Sequence, residues 1–140
     1  MEFETTVDID AGIVEVFEVL ADLERWPEWT ESMARVQPLD AGPLAEGQRV
    51  KVTQPKLGTN TWTVTEVTPA GGFTWEIRRP GVHTTATHRL TALDAGRTRL
   101  TLRIEPGGWL GNLIARMTAG LTRRYMDLEA NGLKARCEQG

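Results

Sequence analysis

Most of the chain alternates between apolar and polar residues with a period of two. In the first such run, Phe3, Val7 and Ile9 are separated by polar side chains, which is typical of a β-strand with one buried face. Similar signals predict six further strands, with turns rich in Gly, Pro and Asp between them. These strands are expected at residues 34–39, 48–54, 61–67, 73–77, 82–93 and 97–105. The short connections favour an antiparallel meander that the first strand joins.

Between the first two strands, the apolar residues follow helical spacing instead. The pattern predicts a short helix over about residues 11–21, with Asp10 as its N-cap. Pro27 pushes the preceding Trp26 away from helical geometry and can itself open a new turn. We therefore expect two short helices with a break at Trp26.

The last thirty or so residues, from Pro106 to Cys137, also follow helical spacing, and no proline interrupts them after Pro106. The pattern predicts one continuous helix of about 40 Å. Its apolar stripe needs a partner surface, because isolated helices gain little from propensity alone. The stripe consists of Leu110, Leu113, Ile114, Met117, Leu121, Tyr125 and Leu128. The sequence thus predicts an α+β fold, a seven-stranded antiparallel sheet covered by a C-terminal helix, in a single domain over residues 1–140.

Composition excludes several classes of function. The net charge of −3 gives no reason to expect nucleic-acid binding. No apolar run is long enough for a membrane span, so stable membrane insertion is not expected. The N-terminus lacks the basic and apolar regions of a secretory signal, and the single cysteine, Cys137, suits a reducing compartment. We expect a cytoplasmic protein; the sequence leaves its oligomeric state open.

Four segments carry a resemblance to a known family. Residues 22–29 read DLERWPEW after the first helix, and residues 62–69, 73–76 and 87–90 continue the likeness. Together with the element order, they resemble the polyketide cyclase/dehydrase branch of the START-like superfamily, the helix-grip fold shared with the major birch pollen allergen. The resemblance covers essentially the whole chain. It implies a strongly bent sheet that grips the C-terminal helix, a cavity between them, and an apolar ligand such as a polyketide, sterol, lipid or quinone.

Strand alternation and the helical stripe predict which side chains face such a cavity. A packed core is the ordinary alternative for most of them. Gly111 and Gly120 within the helix, and the polar tips of the buried tryptophans, favour a cavity instead. The predicted ligand-binding residues are Trp62, Trp75, Ile77, His88, Leu90, Leu102, Leu113, Met117, Leu121 and Tyr125.

His88 and Tyr125 are the two candidates for catalytic groups. An imidazole exchanges protons near neutral pH, so His88 is suited to general acid–base work, although a structural histidine is the alternative. Tyr125 would orient a ligand carbonyl or simply complete the stripe. His83 is expected on the opposite, outer face of its strand, and Glu76 also alternates outward. We expect no metal or other cofactor, because no metal-ligand spacing and no phosphate-binding loop is present.

Three functions remain open at this point. The first is a binding protein for an apolar or aromatic small molecule, of polyketide, lipid or quinone type. The second is an enzyme of the aromatase/cyclase type that folds a polyketide and shuttles protons through His88 or Tyr125. The third is a quinone-binding, membrane-associated helper. The sequence favours the first because it contains no recognisable acid–base pair.

Overall fold

All seven strands form one sheet, as a computed structural model that describes residues 1–139 shows. The strand order is β1-β7-β6-β5-β4-β3-β2, and every neighbouring pair is antiparallel. The predicted seven-stranded α+β helix-grip fold is confirmed. The elements are β1 (Phe3–Ile9), α1 (Ile13–Ala21), a 3₁₀ helix (Leu23–Glu28), β2 (Arg35–Pro38), β3 (Arg49–Gln54), β4 (Gly58–Thr68), β5 (Gly72–Arg79), β6 (Val82–Asp94), β7 (Arg97–Glu105), α2 (Trp109–Met117) and α3 (Ala119–Glu138).

One face of the sheet is covered by the helices and carries the core. The core residues of β6 alternate along the strand, at Ala86, His88 and Leu90. In register, His88 lies opposite Phe73 of β5 and Leu102 of β7. The register between β4 and β5 shifts between Val64 and Glu66, an irregularity that bends a strand locally. Three adjacent strands therefore present aromatic and aliphatic side chains to the same space.

The two short helices meet at a different residue from the one that the sequence predicts. The break lies at Asp22, and both Trp26 and Pro27 lie inside the 3₁₀ helix. The expectation of a break at Trp26 is wrong. Trp26 is fully buried and its indole Nε1 donates a hydrogen bond to the carbonyl of Leu20 at 2.9 Å. Burial of this side chain fixes the local backbone more strongly than the preference imposed by the following proline.

The C-terminal segment consists of two helices, so the prediction of one continuous helix is wrong. The break lies at Thr118, whose backbone has φ −111° and ψ 14°. Its side-chain hydroxyl donates to the carbonyl of Ile114 at 2.8 Å. A threonine hydroxyl that bonds the carbonyl four residues earlier is a common cause of helix bending. The sequence contains this signal, but its strength depends on tertiary packing.

The buried face of these helices is displaced by about one residue from the predicted stripe. Leu113 and Met117 are 48% and 78% exposed, so the expectation that they face the sheet is wrong. Leu121 is only half-buried. Small residues occupy the buried positions of α2. The buried positions are Gly111, Ala115, Met126, Glu129, Ala130 and Leu133.

Glycines hold the C-terminal helices at two points. Gly108 has φ +77°, and a Cβ there would collide with the carbonyl oxygen of Gly81. The same carbonyl accepts hydrogen bonds from the amides of Leu110 and Gly111, both at 3.0 Å, so the β5–β6 turn holds the start of α2. In α3, a Cβ at Gly132 would collide with the backbone of Trp29. These close approaches fix the helices at either end and leave space between them.

Candidate functional site

A cavity of about 190 Å³ lies between the inner face of the sheet and the helices α2 and α3. It is partly open to solvent. Its walls come from the sheet, from the helices and from the turn between β3 and β4. They are mostly apolar, with a few polar groups. The lining residues include Phe3, Met33, Gln54, Leu57, Asn60, Trp62, Trp75, Ile77, Arg79, Val82, Thr84, Ala86, His88, Leu102, Ile104, Ile114, Ala115, Thr118, Thr122, Tyr125, Met126 and Glu129.

Aromatic rings build one wall of the cavity. Trp62 and Trp75 stack with ring centroids 5.4 Å apart and an angle of 29° between their planes. Behind them, Phe73 stacks on His88 at 4.3 Å and 11°. Trp26 packs edge-on against His88 at 5.5 Å. The cluster therefore fixes the orientation of the imidazole and offers two indole rings to a bound molecule.

His88 is only 4% exposed and has a polar neighbour on each side of its ring. Its Nδ1 lies 3.3 Å from the carbonyl oxygen of Phe73. A carbonyl only accepts hydrogen bonds, so Nδ1 carries a hydrogen. On the other side, Nε2 lies 3.3 Å from Oε2 of Glu129. This contact is attractive only if one of the two groups carries a proton there. The two residues, called the His88–Glu129 pair below, place an imidazole and a carboxyl group side by side at the cavity wall.

Glu129 is the functional candidate that the sequence reasoning missed. It is 9% exposed and lies on α3 among apolar neighbours such as Met126 and Leu133. Burying a carboxylate is costly unless it is paired, and the imidazole of His88 supplies the partner. One signal for it was present in the sequence: Glu129 follows Tyr125 by four residues, so the two lie on one side of the helix. Its partner lies 41 residues earlier, and only the fold brings them together.

Tyr125 lies at the cavity, but its hydroxyl is already engaged. It donates a hydrogen bond to the carbonyl oxygen of Pro55 in the turn between β3 and β4. A tyrosine hydroxyl has a single hydrogen, so in this geometry Tyr125 has none to donate to a ligand. Its ring lines the cavity, while its hydroxyl ties α3 to that turn.

The structure places six of the ten predicted ligand-binding residues in the cavity wall. These are Trp62, Trp75, Ile77, His88, Leu102 and Tyr125. The other four lie elsewhere: Leu90 is buried in the core, Leu121 is half-buried outside the wall, and Leu113 and Met117 are on the outer face of α2. The helical part of the wall is formed by a neighbouring stripe with small and polar members. That stripe is Gly111, Ile114, Ala115, Thr118, Thr122, Met126 and Glu129.

The outward-facing polar residues of β5 and β6 form a separate surface cluster. Nε2 of His83 lies 2.7 Å from a carboxylate oxygen of Glu76, and Arg78 contacts the other oxygen at 3.1 Å. The hydrogen bond from His83, with that from Arg78, lowers the pKa of the Glu76 carboxyl. Neither Glu76 nor His83 lines the cavity. This cluster links β5 and β6 on the outer face of the sheet and is separate from the candidate site.

The sequence matches one known protein family over nearly its whole length. The sequence profile described as polyketide cyclase/dehydrase and lipid transport matches residues 1–138. The chain belongs to this family. The expected membership in the START-like superfamily is therefore confirmed. None of the curated proteins matches the sequence significantly.

Solved structures show the same fold at low sequence identity. The Zhui aromatase/cyclase from Streptomyces sp. R1128 superposes with a TM-score of 0.81 at 23% identity, covering 99% of this chain and 94% of that one. A START superfamily protein from Mycobacterium smegmatis gives 0.75 at 16% identity, covering 99% and 97%. Norcoclaurine synthase from Thalictrum flavum, in complex with dopamine and hydroxybenzaldehyde, gives 0.76 at 10%, covering 99% and 87%. At these sequence identities, the similarity to the solved structures concerns the fold alone.

Within residues 1–139, no group of three or more His, Cys, Asp or Glu side chains is arranged to hold a metal ion. No helix in the described part of the chain has the length and apolar character needed to cross a bilayer.

Proposed function

We propose that this family member binds a small aromatic molecule in the cavity between the sheet and the helices α2 and α3. The observation that carries the proposal is the combination of an apolar, indole-lined cavity with a single buried polar pair at its wall. Apolar pockets with a few convergent polar groups are the usual form of small-molecule sites. The indoles of Trp62 and Trp75 offer stacking surfaces, and the His88–Glu129 pair offers a hydrogen-bond partner for a hydroxyl or carbonyl group.

The size of the cavity supports a ligand, or a ligand headgroup, of one or two rings. Its volume of about 190 Å³ is close to that of the apolar cavities of about 150 Å³ that accept benzene in other proteins. Drug-sized ligands need roughly 300–1,000 Å³. A phenol, a naphthol or a quinone ring fits the space as it stands. A polycyclic polyketide or a whole lipid exceeds this volume, so part of it would extend through the open side of the cavity.

The proposal is tested by filling the cavity. Ala115 is buried and lines it, so Ala115→Leu adds three carbons to the ligand space. Ala135→Leu makes the same change on α3 at an exposed position and serves as the matched control. We expect titration calorimetry with 2-naphthol to show one binding site in the wild type and in Ala135→Leu, and at least tenfold weaker binding in Ala115→Leu, about 1.4 kcal/mol or more.

A second measurement identifies the natural ligand class. Native mass spectrometry of the freshly purified protein is expected to show a co-purifying apolar molecule, which Ala115→Leu should exclude. Equal binding of 2-naphthol by the wild type and by Ala115→Leu would contradict the cavity as the site. Absence of binding by the wild type to every phenol, naphthol and quinone tested would contradict the ligand class.

The His88–Glu129 pair favours one second function, an enzyme of the aromatase/cyclase type. An imidazole and a carboxyl group side by side at the wall of an apolar cavity are suited to general acid–base chemistry on a bound ketone or enol. Under this alternative, Glu129→Gln keeps the side-chain shape and removes the acid–base partner. It should then lower turnover of a small polyketone far more than its affinity. Equal loss of both, or no loss, would favour the binding protein.

A further inference from the structure

The outer face of α2 carries the two most exposed large apolar side chains of the described residues, Trp109 and Met117, at 74% and 78%. Leu113 lies between them, four residues from each, and is 48% exposed. Successive residues four apart lie on one side of a helix. The opposite side of the same helix, at Gly111 and Ala115, lines the cavity. α2 is therefore a wall with a cavity on its inner side and an apolar stripe on its outer side.

Basic residues flank this stripe. Residues 106–126 contain no acidic residue, although the whole chain has a net charge of −3. Arg79 is exposed at the end of β5, two residues before Gly81, which lies against the Trp109 side chain. Arg116 follows Trp109 by seven residues, which is about two helical turns, so it lies on the same side of α2. A basic rim on an otherwise acidic protein points to an anionic partner.

We propose that the outer face of α2, formed by Trp109, Leu113, Arg116 and Met117, docks on the surface of an anionic lipid bilayer. Helices that lie in a membrane interface place apolar side chains, often including Trp, about 5–10 Å into the headgroup boundary and keep arginines at the phosphates. Trp109 suits this position because its indole is apolar with one polar edge. The contact is peripheral: α2 lies on the bilayer and no part of the chain crosses it.

Two other occupants fit the face less well. A second copy of the chain is disfavoured by size, since three side chains on a helix of about 13 Å cover far less than the roughly 800 Å² per partner of a stable interface. A specific protein partner needs hydrogen bonds at the rim, about one per 100–200 Å². The one amide on this side, Asn112, already donates to the carbonyl of Gly108 at 2.9 Å. Binding to an anionic bilayer requires only exposed apolar side chains that enter the interface and basic side chains beside them.

The test is flotation of the full chain with vesicles of phosphatidylcholine, with and without phosphatidylglycerol. We expect the wild type to float with the anionic vesicles and much less with the neutral ones. The double variant Trp109→Ala, Met117→Ala should bind at least about tenfold less, because two exposed apolar side chains no longer enter the interface. Val14→Ala, at an exposed apolar position on α1, is the matched control and should bind like the wild type.

The charge contribution is tested separately. Arg116→Glu should weaken binding to the anionic vesicles by roughly tenfold and leave the weak binding to neutral vesicles unchanged. Arg35→Glu, at an exposed position on β2, is the control. Trp26, Trp62 and Trp75 are buried, and Trp29 packs against Gly132 of α3, away from α2. A blue shift of emission on vesicle addition should therefore disappear in Trp109→Phe. All variants should keep the circular dichroism of the wild type.

Three results would overturn the proposal. One is wild-type protein that stays unbound with anionic vesicles at low salt. Another is a loss of binding in Val14→Ala equal to that in the double variant. The third is a concentration-dependent dimer that the double variant abolishes while vesicles have no effect, which would assign the face to a second copy. Vesicle binding does not require an occupied cavity, so failure here leaves the proposed small-molecule function intact, and the reverse also holds.

Discussion

The two halves of the helical layer pack against the rest of the protein in opposite ways. Towards its C-terminus, α3 buries Ala130 and Leu133 completely or nearly so, and Gly132 brings its backbone against Trp29. In α2 and the first turns of α3, most inner side chains are small or polar, and Trp109, Leu113 and Met117 point to solvent. The C-terminal part of α3 forms part of the core, while α2 and the first turns of α3 cover the cavity. The C-terminal segment, which has helical periodicity throughout, thus contains one part that packs into the core and one part that covers a cavity.

The difference shows how a cavity persists beside a stable core. Close packing at the C-terminal end fixes the direction of α3, and the contact between Gly81 of the β5–β6 turn and Gly108 fixes the start of α2. Because both ends of the α2–α3 segment are fixed, its middle stays at a distance from the sheet. The side chains there, such as Ala115 and Thr122, are too short to fill the gap. The cavity is the space that this geometry leaves.

A matched pair of leucine substitutions should give the largest contrast. Leu133→Ala removes a fully buried side chain and is expected to lower the free energy of unfolding by about 2–5 kcal/mol, through lost burial and the cavity left behind. Leu113→Ala, on the exposed face of α2, should change it by no more than about 0.5 kcal/mol. Urea denaturation of both variants measures this. Similar losses would show that α2 is packed as tightly as α3.

A pair of glycine substitutions should give an intermediate contrast of opposite sign. Gly132→Ala places a Cβ against the carbonyl of Trp29, so the backbone must shift, at a cost of about 1–3 kcal/mol. At Gly120 an added Cβ meets nothing within 4 Å, and Gly120→Ala should stabilise the protein by up to about 1 kcal/mol. Thermal unfolding of the two variants tests it. Stabilisation by Gly132→Ala would contradict the close approach of α3 to Trp29.

The smallest effect is expected on the outer face of the sheet, away from both helices. The pKa of Glu76 is lowered from its ordinary value of 4.5 by His83 and Arg78. A lowered carboxyl pKa stabilises the fold above the ordinary value, and the stabilisation is lost as the pH falls through the lowered one. Glu76→Gln should therefore cost less than about 1 kcal/mol near pH 6.

That cost should shrink towards zero at pH values below the lowered pKa of Glu76, where the wild-type carboxyl is also protonated. Parallel urea denaturation of the wild type and Glu76→Gln across the acidic range measures the difference. Glu66→Gln, at an exposed position on β4, is the control. A deficit of Glu76→Gln that grows as the pH falls would contradict the assigned pairing.

Sequence patterns were sufficient for the strands and insufficient for the helices, for a physical reason. In β5 and β6, alternation leaves one choice of inner face, so Trp75, Ile77 and His88 were placed correctly in the cavity wall. The C-terminal segment contains two helical stripes, the bulky one through Leu113 and Met117 and the small one through Ala115 and Thr122. Periodicity identifies both. Only the space available beneath the helix decides which one faces the sheet.

The sequence by itself determined the meander of six strands, its turns and the α+β class, because these depend on local periodicity and on short connections. The family followed from the resemblance carried by four segments. The tertiary structure decided the break at Thr118, the rotation of α2 and the meeting of His88 with Glu129. Each of these depends on how a helix sits on a curved surface, where a rotation of one residue exchanges an apolar lining for a polar one. A one-dimensional pattern cannot specify that rotation.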